Sequence, residues 1–281
     1  MINYYLLTKP GIIFGNLVTL AAGFLLASKG SFDYALFLTT LLGLTFIMAS
    51  ACVLNNYIDR HIDAKMKRTK NRALVIGLIP VKSALAFSIG LVLLGNLFLG
   101  LFTNARTLAI ADFGFFVYVV LYSLWKCRTI YGTAIGAVAG AIPPVVGYCA
   151  VSNQLDLGAG LLFALMVLWQ MPHFFSIALF HIEDYTAAGI PLLPVLKGAW
   201  RTKIHMVAYI LGFILSAFLL TYYGFTGMAY FLVIGCTGLT WLVFCLQGFN
   251  SNNDKLWGFK MYRLSLLMIM MTCLMIPIDR I

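Results

Sequence analysis

Long apolar runs recur along almost the whole chain and are separated by shorter polar segments. They predict nine membrane-spanning helices, because about twenty consecutive apolar residues suffice to cross a bilayer. The predicted limits are 10–28, 34–56, 80–102, 107–125, 133–151, 158–180, 205–223, 227–247 and 261–279. A cleaved signal peptide is an alternative interpretation of the first run. It is disfavoured because the many later runs would anchor the protein in the membrane whether or not the first were removed. The pattern therefore predicts one all-α integral membrane domain over residues 1–281.

Basic residues are placed unevenly on the two sides of this predicted bundle. The chain is 62% hydrophobic and 10% charged, with a net charge of +10. If the spans alternate, 16 of the 19 Lys and Arg lie on the side of the N-terminus, and only Lys29, Arg106 and Arg280 lie on the other. The positive-inside rule then makes the N-terminus cytoplasmic. The positive charge reflects topology, and nucleic acid is not indicated as a partner.

The segment from Cys52 to Arg72, CVLNNYIDRHIDAKMKRTKNR, follows the second apolar run and contains a polar repeat. Asn55, Asp59 and Asp63 recur every four residues, so a continuous helix carries them on one face. Two carboxylates one turn apart repel each other unless a cation offsets their charge. Mg²⁺ suits such a site, because it binds one or two carboxylates and takes further oxygens from a substrate phosphate. The repeat predicts a catalytic Mg²⁺ site formed by these three residues.

Basic residues near this repeat are candidates for binding a diphosphate, because Lys and Arg make charge-assisted hydrogen bonds to phosphate oxygens. The stronger candidates are Lys67, Arg68 and Arg72, and the weaker ones are Lys126, Arg128, Lys197 and Arg201. A second long connection, 181–204, also begins with acids, Glu183 and Asp184, and continues with cations. Two such loops on one face could hold one diphosphate between them. A simpler interpretation stays open, in which the acids are solvated and the cations anchor a helix end.

The fifth and sixth predicted spans carry features that ordinary membrane helices lack. In the fifth, Gly132, Gly136 and Gly140 allow close helix approach, and Pro143-Pro144 must break the helix. Irregular backbone at this depth survives when it is buried in protein or lines a cavity. In the sixth, His173 lies in an apolar stretch, where it is either part of a functional site or a hydrogen-bonded core residue.

Five stretches of this chain resemble the UbiA-type intramembrane prenyltransferases, in particular the branch that transfers farnesyl to protohaem IX. They are TKPGIIFGNL, NNYIDRHIDAKMKRTKNR, YGTAIGAVAGAIPPVVGYCAV, LWQMPHFF and EDYTAAGIPLLPV, in this order between residues 8 and 195. The resemblance implies a bundle of about nine helices with a central cavity. It also implies two cytoplasmic active-site loops, near 57–79 and 181–204, that hold Mg²⁺ and a prenyl diphosphate. The chain departs from this branch at His61, where Asp is frequent, and its second loop lacks the paired aspartates of quinone-forming relatives.

The resemblance further implies the reaction and its setting. A farnesyl group would pass from farnesyl diphosphate to the C2 vinyl group of haem B, with addition of water, to give haem O for a terminal oxidase. The enzyme would lie in a bacterial inner membrane, in contact with a haem-copper oxidase or a haem A synthase. His173, and after it His181, are the candidates for binding haem, because imidazole is the commonest protein ligand of haem iron. Candidate walls around the allylic cation, chosen by location only, are Tyr118, Tyr122, Tyr148 and Phe174.

Three other functions stay open on the sequence alone. A UbiA-type enzyme acting on an aromatic quinone precursor would use the same metal and diphosphate chemistry. A membrane transporter also uses broken helices and intramembrane polar residues, although its substrate site lies at the midplane and these acids lie at one face. A structural partner of an oxidase would need no pairing of acids with Lys and Arg.

Overall fold

A computed structural model describes residues 2–281, and this part of the chain is almost entirely helical. Its helices are α1 (Ile2–Leu7), α2 (Pro10–Ala27), α3 (Tyr34–Asp63), α4 (Val81–Phe102), α5 (Ala105–Phe116), α6 (Ser123–Trp125), α7 (Gly132–Gly140), α8 (Ile142–Ser152), α9 (Leu157–Phe180), α10 (Ile182–Ala187), α11 (Leu193–Tyr222), α12 (Met228–Gln247) and α13 (Asp254–Ile278). A π-helical turn, Val117–Tyr122, joins α5 to α6, and a 3₁₀ turn, Gly248–Asn250, follows α12.

Nine helical stretches within residues 2–281 are long and apolar enough to cross a membrane, which confirms the predicted number of spans. They are Pro10–Ala27, Tyr34–Asp63, Val81–Phe102, Ala105–Trp125, Gly132–Ser152, Leu157–Phe180, Leu193–Tyr222, Met228–Asn250 and Asp254–Ile278. Polar N-caps start three helices at the same side of the bundle: Asp33, Asn104 and Asp156 accept hydrogen bonds from the backbone at Leu36, Thr107 and Ala159. Such caps satisfy amide groups that the first helical turn leaves without a partner.

Three helices extend further, at the side of the N-terminus, than the apolar runs predict. α3 continues to Asp63 instead of ending near residue 56, and α13 begins at Asp254 instead of 261. α11 begins at Leu193 instead of 205, but its helix is interrupted by a kink at Gly198, which has φ 78°. The apolar run ends where the hydrocarbon ends, whereas backbone hydrogen bonding continues the helix into the polar region. With 30 residues, α3 is about 45 Å long, which exceeds the hydrocarbon thickness of about 30 Å. The acidic repeat therefore lies on a helix and not in a loop.

The double proline breaks the fifth span as predicted, because α7 ends at Gly140 and α8 begins at Ile142. Pro143 and Pro144 are fully buried, and a Cβ at Gly23 of α2 would overlap the carbonyl oxygen of Pro144. The irregular backbone is thus covered by protein, through direct contact of α2 with α8. Elsewhere α3 packs along α4, and α9 lies between α11 and α13.

Candidate active site

The C-terminal end of α3 presents Asn55, Asp59 and Asp63 on one buried face. These residues are 3%, 8% and 2% exposed, respectively, although they lie at the polar edge of the bundle. The helix is regular through Asp63, so the predicted stacking of the three side chains is confirmed. His61 lies about 200° around the helix from both acids and is exposed, which separates it from this face.

Hydrogen bonds and ion pairs connect this face to three other parts of the chain. Asn55 Nδ2 donates to Asp59 Oδ2 over 2.9 Å. Asp59 Oδ1 forms an ion pair with Lys126, and both side chains are buried. Arg72 Nη1 donates to Asp63 Oδ2 over 2.6 Å. Each carboxylate therefore has one cationic partner, and Lys126, a weaker candidate in the sequence, lies at the centre of the site.

The third cation at this face is Lys9, which sequence reasoning missed. Lys9 precedes α2 in a left-handed backbone conformation, φ 54°, and its Nζ donates to Asn55 Oδ1 over 2.5 Å. Burial lowers the pKa of the Lys9 ammonium to about 8. The neighbouring backbone is fixed as well, because Asn56 Nδ2 donates to the carbonyl oxygen of Leu7 over 2.8 Å. Lys9 could have been identified from the sequence, because it precedes Pro10 in TKPGIIFGNL, the first of the five stretches that resemble the family.

The π-helical turn positions two of the predicted wall residues next to Lys126. The rings of Tyr118 and Tyr122 stack with centroids 5.5 Å apart, and Lys126 Nζ lies 5.2 Å from the Tyr122 centroid. Small residues of α7 make room for this arrangement. A Cβ at Gly132 would lie 2.6 Å from the Lys126 Cα, and one at Gly136 would lie 3.1 Å from the Tyr122 ring. The predicted close approach at these glycines is confirmed, and it holds the two tyrosines beside the acids.

The second acidic segment meets the first but makes different contacts from those of α3. Asp184 Oδ1 accepts a hydrogen bond from the backbone amide of Lys67 over 2.9 Å. Glu183, an exposed residue, accepts one from Lys255 Nζ over 2.8 Å, and this bond lowers the pKa of its carboxyl. No three acidic, His or Cys side chains within residues 2–281 are grouped closely enough to hold a metal. Asp184 thus connects the two segments, and the α3 face itself offers two carboxylates and the amide of Asn55.

Arg68 lies close to the second acidic segment, because its charge acts on His181 and Tyr185 there. His181 has a pKa lowered first by burial and then by the charge of Arg68. Tyr185, a second residue that sequence reasoning missed, has a pKa raised by burial and partly lowered by Arg68. Its signal was its place in the matching stretch EDYTAAGIPLLPV. The side chains of Lys67 and Arg68 themselves are exposed.

Four of the predicted residues lie away from this cluster. Arg128, Lys197 and Arg201 are exposed, and their side chains make no hydrogen bond or ion pair with any described residue. Tyr148 donates to Asp156 Oδ2 over 2.9 Å at the opposite end of the bundle, so it is no wall of the site at the end of α3. Tyr148 and Tyr122 both lie in apolar runs, so the sequence did not show that they occupy opposite ends of adjacent spans.

His173 lies inside the bundle, on α9. Its Nδ1 is 2.8 Å from Ser265 Oγ of α13, and its ring stacks on Trp169 with centroids 4.8 Å apart. Phe174 and Tyr262 are the next rings, at 5.7 and 5.2 Å. His173 is therefore a buried residue whose Nδ1 atom is hydrogen-bonded to Ser265.

The donor set of the α3 face fits a hard divalent cation. It offers amide and carboxylate oxygens, which are the ligands that Mg²⁺ prefers. Asp59 Oδ1 is buried, and the Lys126 ammonium lies beside it. A buried carboxylate that already has a cation beside it is suited to binding positive charge at this face.

Buried carboxylates surrounded by cations, set at one end of a nine-span bundle, suit a membrane-embedded enzyme that binds a charged substrate. Comparison with known proteins agrees with this class. The UbiA prenyltransferase family matches residues 16–268, and the chain belongs to that family. Its curated relatives include a protoheme IX farnesyltransferase of Protochlamydia amoebophila, 58% identical over 99% of both chains. Another, from Yersinia pseudotuberculosis, is 48% identical over 99% of this chain and 95% of its own.

Solved structures support the same fold. A digeranylgeranylglyceryl phosphate synthase has a TM-score of 0.82 and 19% identity, covering 99% of this chain and 97% of its own. A UbiA homologue from Archaeoglobus fulgidus, bound to DMAPP and Mg²⁺, has a TM-score of 0.75 and 17% identity, covering 98% of this chain and 99% of its own. At these identities the likeness establishes the fold alone.

Proposed function

We propose that this chain transfers the farnesyl group of farnesyl diphosphate to the C2 vinyl group of haem B, with addition of water, giving haem O and diphosphate. The observation that carries the proposal is the buried α3 face, where Asp59 and Asp63 are surrounded by Lys9, Lys126 and Arg72. The relatives named protoheme IX farnesyltransferase, with up to 58% identity over nearly the full length, support the acceptor.

Asn55, Asp59 and Asp63 would hold Mg²⁺, because their oxygens share one helix face. The metal would supply positive charge that offsets the charge on the diphosphate oxygens. The Mg²⁺ bound with DMAPP in the Archaeoglobus fulgidus homologue supports this assignment.

Cations of the site would bind the diphosphate and stabilise it as a leaving group. When the C–O bond to the farnesyl carbon breaks, its electron pair stays with the diphosphate, and fixed cations stabilise this developing charge. Lys9, Lys126 and Arg72 are already directed at the oxygens of the α3 face. Arg68 and Lys67 lie at the rim, where their exposed side chains are free to contact the outer phosphate.

The farnesyl cation would form beside Tyr118 and Tyr122. Aromatic faces stabilise cations, and a site that excludes water prevents premature hydrolysis. The terminal vinyl carbon of haem B would then bond to the farnesyl carbon, which leaves a positive charge on the inner vinyl carbon. Addition of water there and loss of one proton give the hydroxyl group of haem O.

His173 would bind the iron of the haem acceptor, since it presents an imidazole within the bundle. His181 is the second candidate, at the end of α9 near Arg68. With the N-terminus in the cytoplasm, as the basic residues indicate, the α3 face opens to the cytoplasmic pool of farnesyl diphosphate. We place the enzyme in a bacterial inner membrane, where haem O would pass to a haem-copper oxidase or a haem A synthase.

The test uses the purified full-length protein in lipid nanodiscs with haem B, farnesyl diphosphate and Mg²⁺. Mass spectrometry of the extracted haem should show the added farnesyl and hydroxyl groups, and chelation of Mg²⁺ should abolish the product. A parallel reaction replaces haem B by 4-hydroxybenzoate, an aromatic quinone precursor. Prenylation of that acceptor without haem O would instead assign the chain to the quinone-type enzymes.

A further inference from the structure

The surroundings of His173 assign a positioning role to a residue in another helix. We infer that the Ser265 hydroxyl holds His173 in the tautomer that carries its proton on Nδ1, so that the Nε2 lone pair binds the haem iron. The inference rests on the proposed use of haem as the acceptor. It adds a residue of α13 to the haem-binding side of the proposed site.

Counting protons around Ser265 fixes the tautomer. Ser265 Oγ lies 2.6 Å from the carbonyl oxygen of Tyr262 and 2.8 Å from His173 Nδ1. A contact of 2.6 Å between two oxygens requires a proton between them, and the carbonyl has none to give. The single hydroxyl proton is therefore used on Tyr262. The second contact needs its own proton, so Nδ1–H must donate to Ser265 Oγ.

This tautomer leaves Nε2 with a lone pair, because a neutral imidazole carries only one N–H. Nε2 points roughly away from Nδ1, and thus away from Ser265. No described residue within 2–281 makes a hydrogen bond to it. The Nε2 lone pair is therefore left without a protein partner among the described residues.

The imidazole plane is fixed as firmly as its tautomer. Trp169, one turn earlier on α9, donates from Nε1 to the carbonyl oxygen of Ser265 over 2.7 Å. The Trp169 ring also stacks on the imidazole with an interplanar angle of 25°. Ser265 thus receives one hydrogen bond on its carbonyl and one on its hydroxyl from the same face of α9. A ligand whose second nitrogen is held in this way binds metal better, because no reorientation is needed.

The experiment measures haem binding without farnesyl diphosphate, using the full-length protein in nanodiscs. Ser265→Ala removes the hydroxyl that accepts the hydrogen bond from His173. Ser265→Cys keeps a side chain of similar size, but its sulfur is a weak hydrogen-bond acceptor. Thr272→Val is the matched control, because Thr272 is buried on the same helix and donates only to its own helix, at Met268. Absorption titrations give the haem affinity, and resonance Raman spectra of the ferrous complex give the iron–histidine stretch. His173→Ala identifies the ligand.

We expect Ser265→Ala to weaken haem binding about 10- to 100-fold and to lower the iron–histidine stretching frequency. Ser265→Cys should give a smaller shift in the same direction, Thr272→Val should match the wild type, and His173→Ala should lose the histidine-bound spectrum. An unchanged affinity and stretch in both Ser265 variants would overturn the positioning role, and an unchanged spectrum in His173→Ala would overturn the ligand. If haem binds through His173 but haem O never forms, the proposed reaction fails while this inference stands.

Discussion

The Lys9 ammonium donates a 2.5 Å hydrogen bond to the amide oxygen of Asn55, a residue 46 positions further along the chain. The same amide donates to Asp59 through its nitrogen, so Asn55 connects a cation from the start of α2 to a carboxylate of α3. The start of α2 is thereby attached to the face of α3 that carries Asn55, Asp59 and Asp63. This contact makes Lys9 part of the site, although its position also satisfies the positive-inside rule.

Replacing Lys9 tests that assignment. Lys9→Ala should lower kcat/KM for farnesyl diphosphate by about 10- to 100-fold, which corresponds to the loss of one hydrogen bond to a charged group. Lys29→Ala is the control, because Lys29 also has a positive φ, 35°, but lies at the other side of the membrane. Equal activity of the Lys9 and Lys29 variants in steady-state assays would leave Lys9 with a topological role only.

The two carboxylates should be indispensable for turnover. Asp59→Asn or Asp63→Asn should abolish haem O formation, because a neutral amide cannot supply the charge that Mg²⁺ requires. Asp33→Asn serves as the control: Asp33 is an N-cap, and Asn caps helices as well as Asp does. Mass analysis of the haem product decides the matter, and wild-type turnover in either variant would refute the metal assignment.

Lys126 and Arg128 offer a matched pair of cations on the same membrane edge. Lys126→Ala should abolish most activity and lower the melting temperature, because it leaves the buried Asp59 carboxylate without its partner, a change that typically costs about 3–5 kcal/mol. Arg128→Ala should change neither, since its side chain is exposed. Activity assays and thermal unfolding of both variants provide the comparison. A larger loss in the Arg128 variant would contradict the geometry of the site.

Arg72 should act on the diphosphate more than on the acceptor. Arg72→Ala should raise the KM for farnesyl diphosphate more than the KM for haem B, because a guanidinium binds phosphate oxygens in a way that Ala cannot replace. Lys70→Ala, at an exposed position of the same loop, should alter neither value. Should both KM values of the Arg72 variant rise equally, Arg72 would merely hold the loop through its contact with Asp63.

His61 should tolerate substitution. Because it is exposed and lies about 200° around α3 from the two acids, it cannot share a metal with them. His61→Asp should therefore keep activity within about threefold, as exposed substitutions usually do, and leave the Mg²⁺ requirement unchanged. Assays across a Mg²⁺ and Mn²⁺ series would detect a new metal preference, which would mean that the end of α3 is not a regular helix in the working enzyme.

The sequence by itself determined the features that depend on local periodicity. Apolar runs fixed nine spans, since each must cover the same hydrocarbon thickness. The spacing of Asn55, Asp59 and Asp63 placed them on one face, because 3.6 residues per turn brings every fourth side chain into line. Gly136 and Pro143-Pro144 indicated close packing and a break, and both are present. Each of these inferences uses only residues that lie within a few helical turns of one another in the sequence.

The tertiary structure alone decided which distant groups meet. Lys126 and Arg128 are equivalent on a hydropathy profile, yet the π-helical turn and the glycines of α7 turn only Lys126 towards Asp59. Asp184 meets the Lys67 amide across 117 positions, and His173 meets Ser265 across 92. Side-chain direction at such contacts depends on how whole helices pack, and no local pattern records that. The sequence therefore determined the acids and the helix face that they share, whereas packing selected the cations and the partner of the histidine.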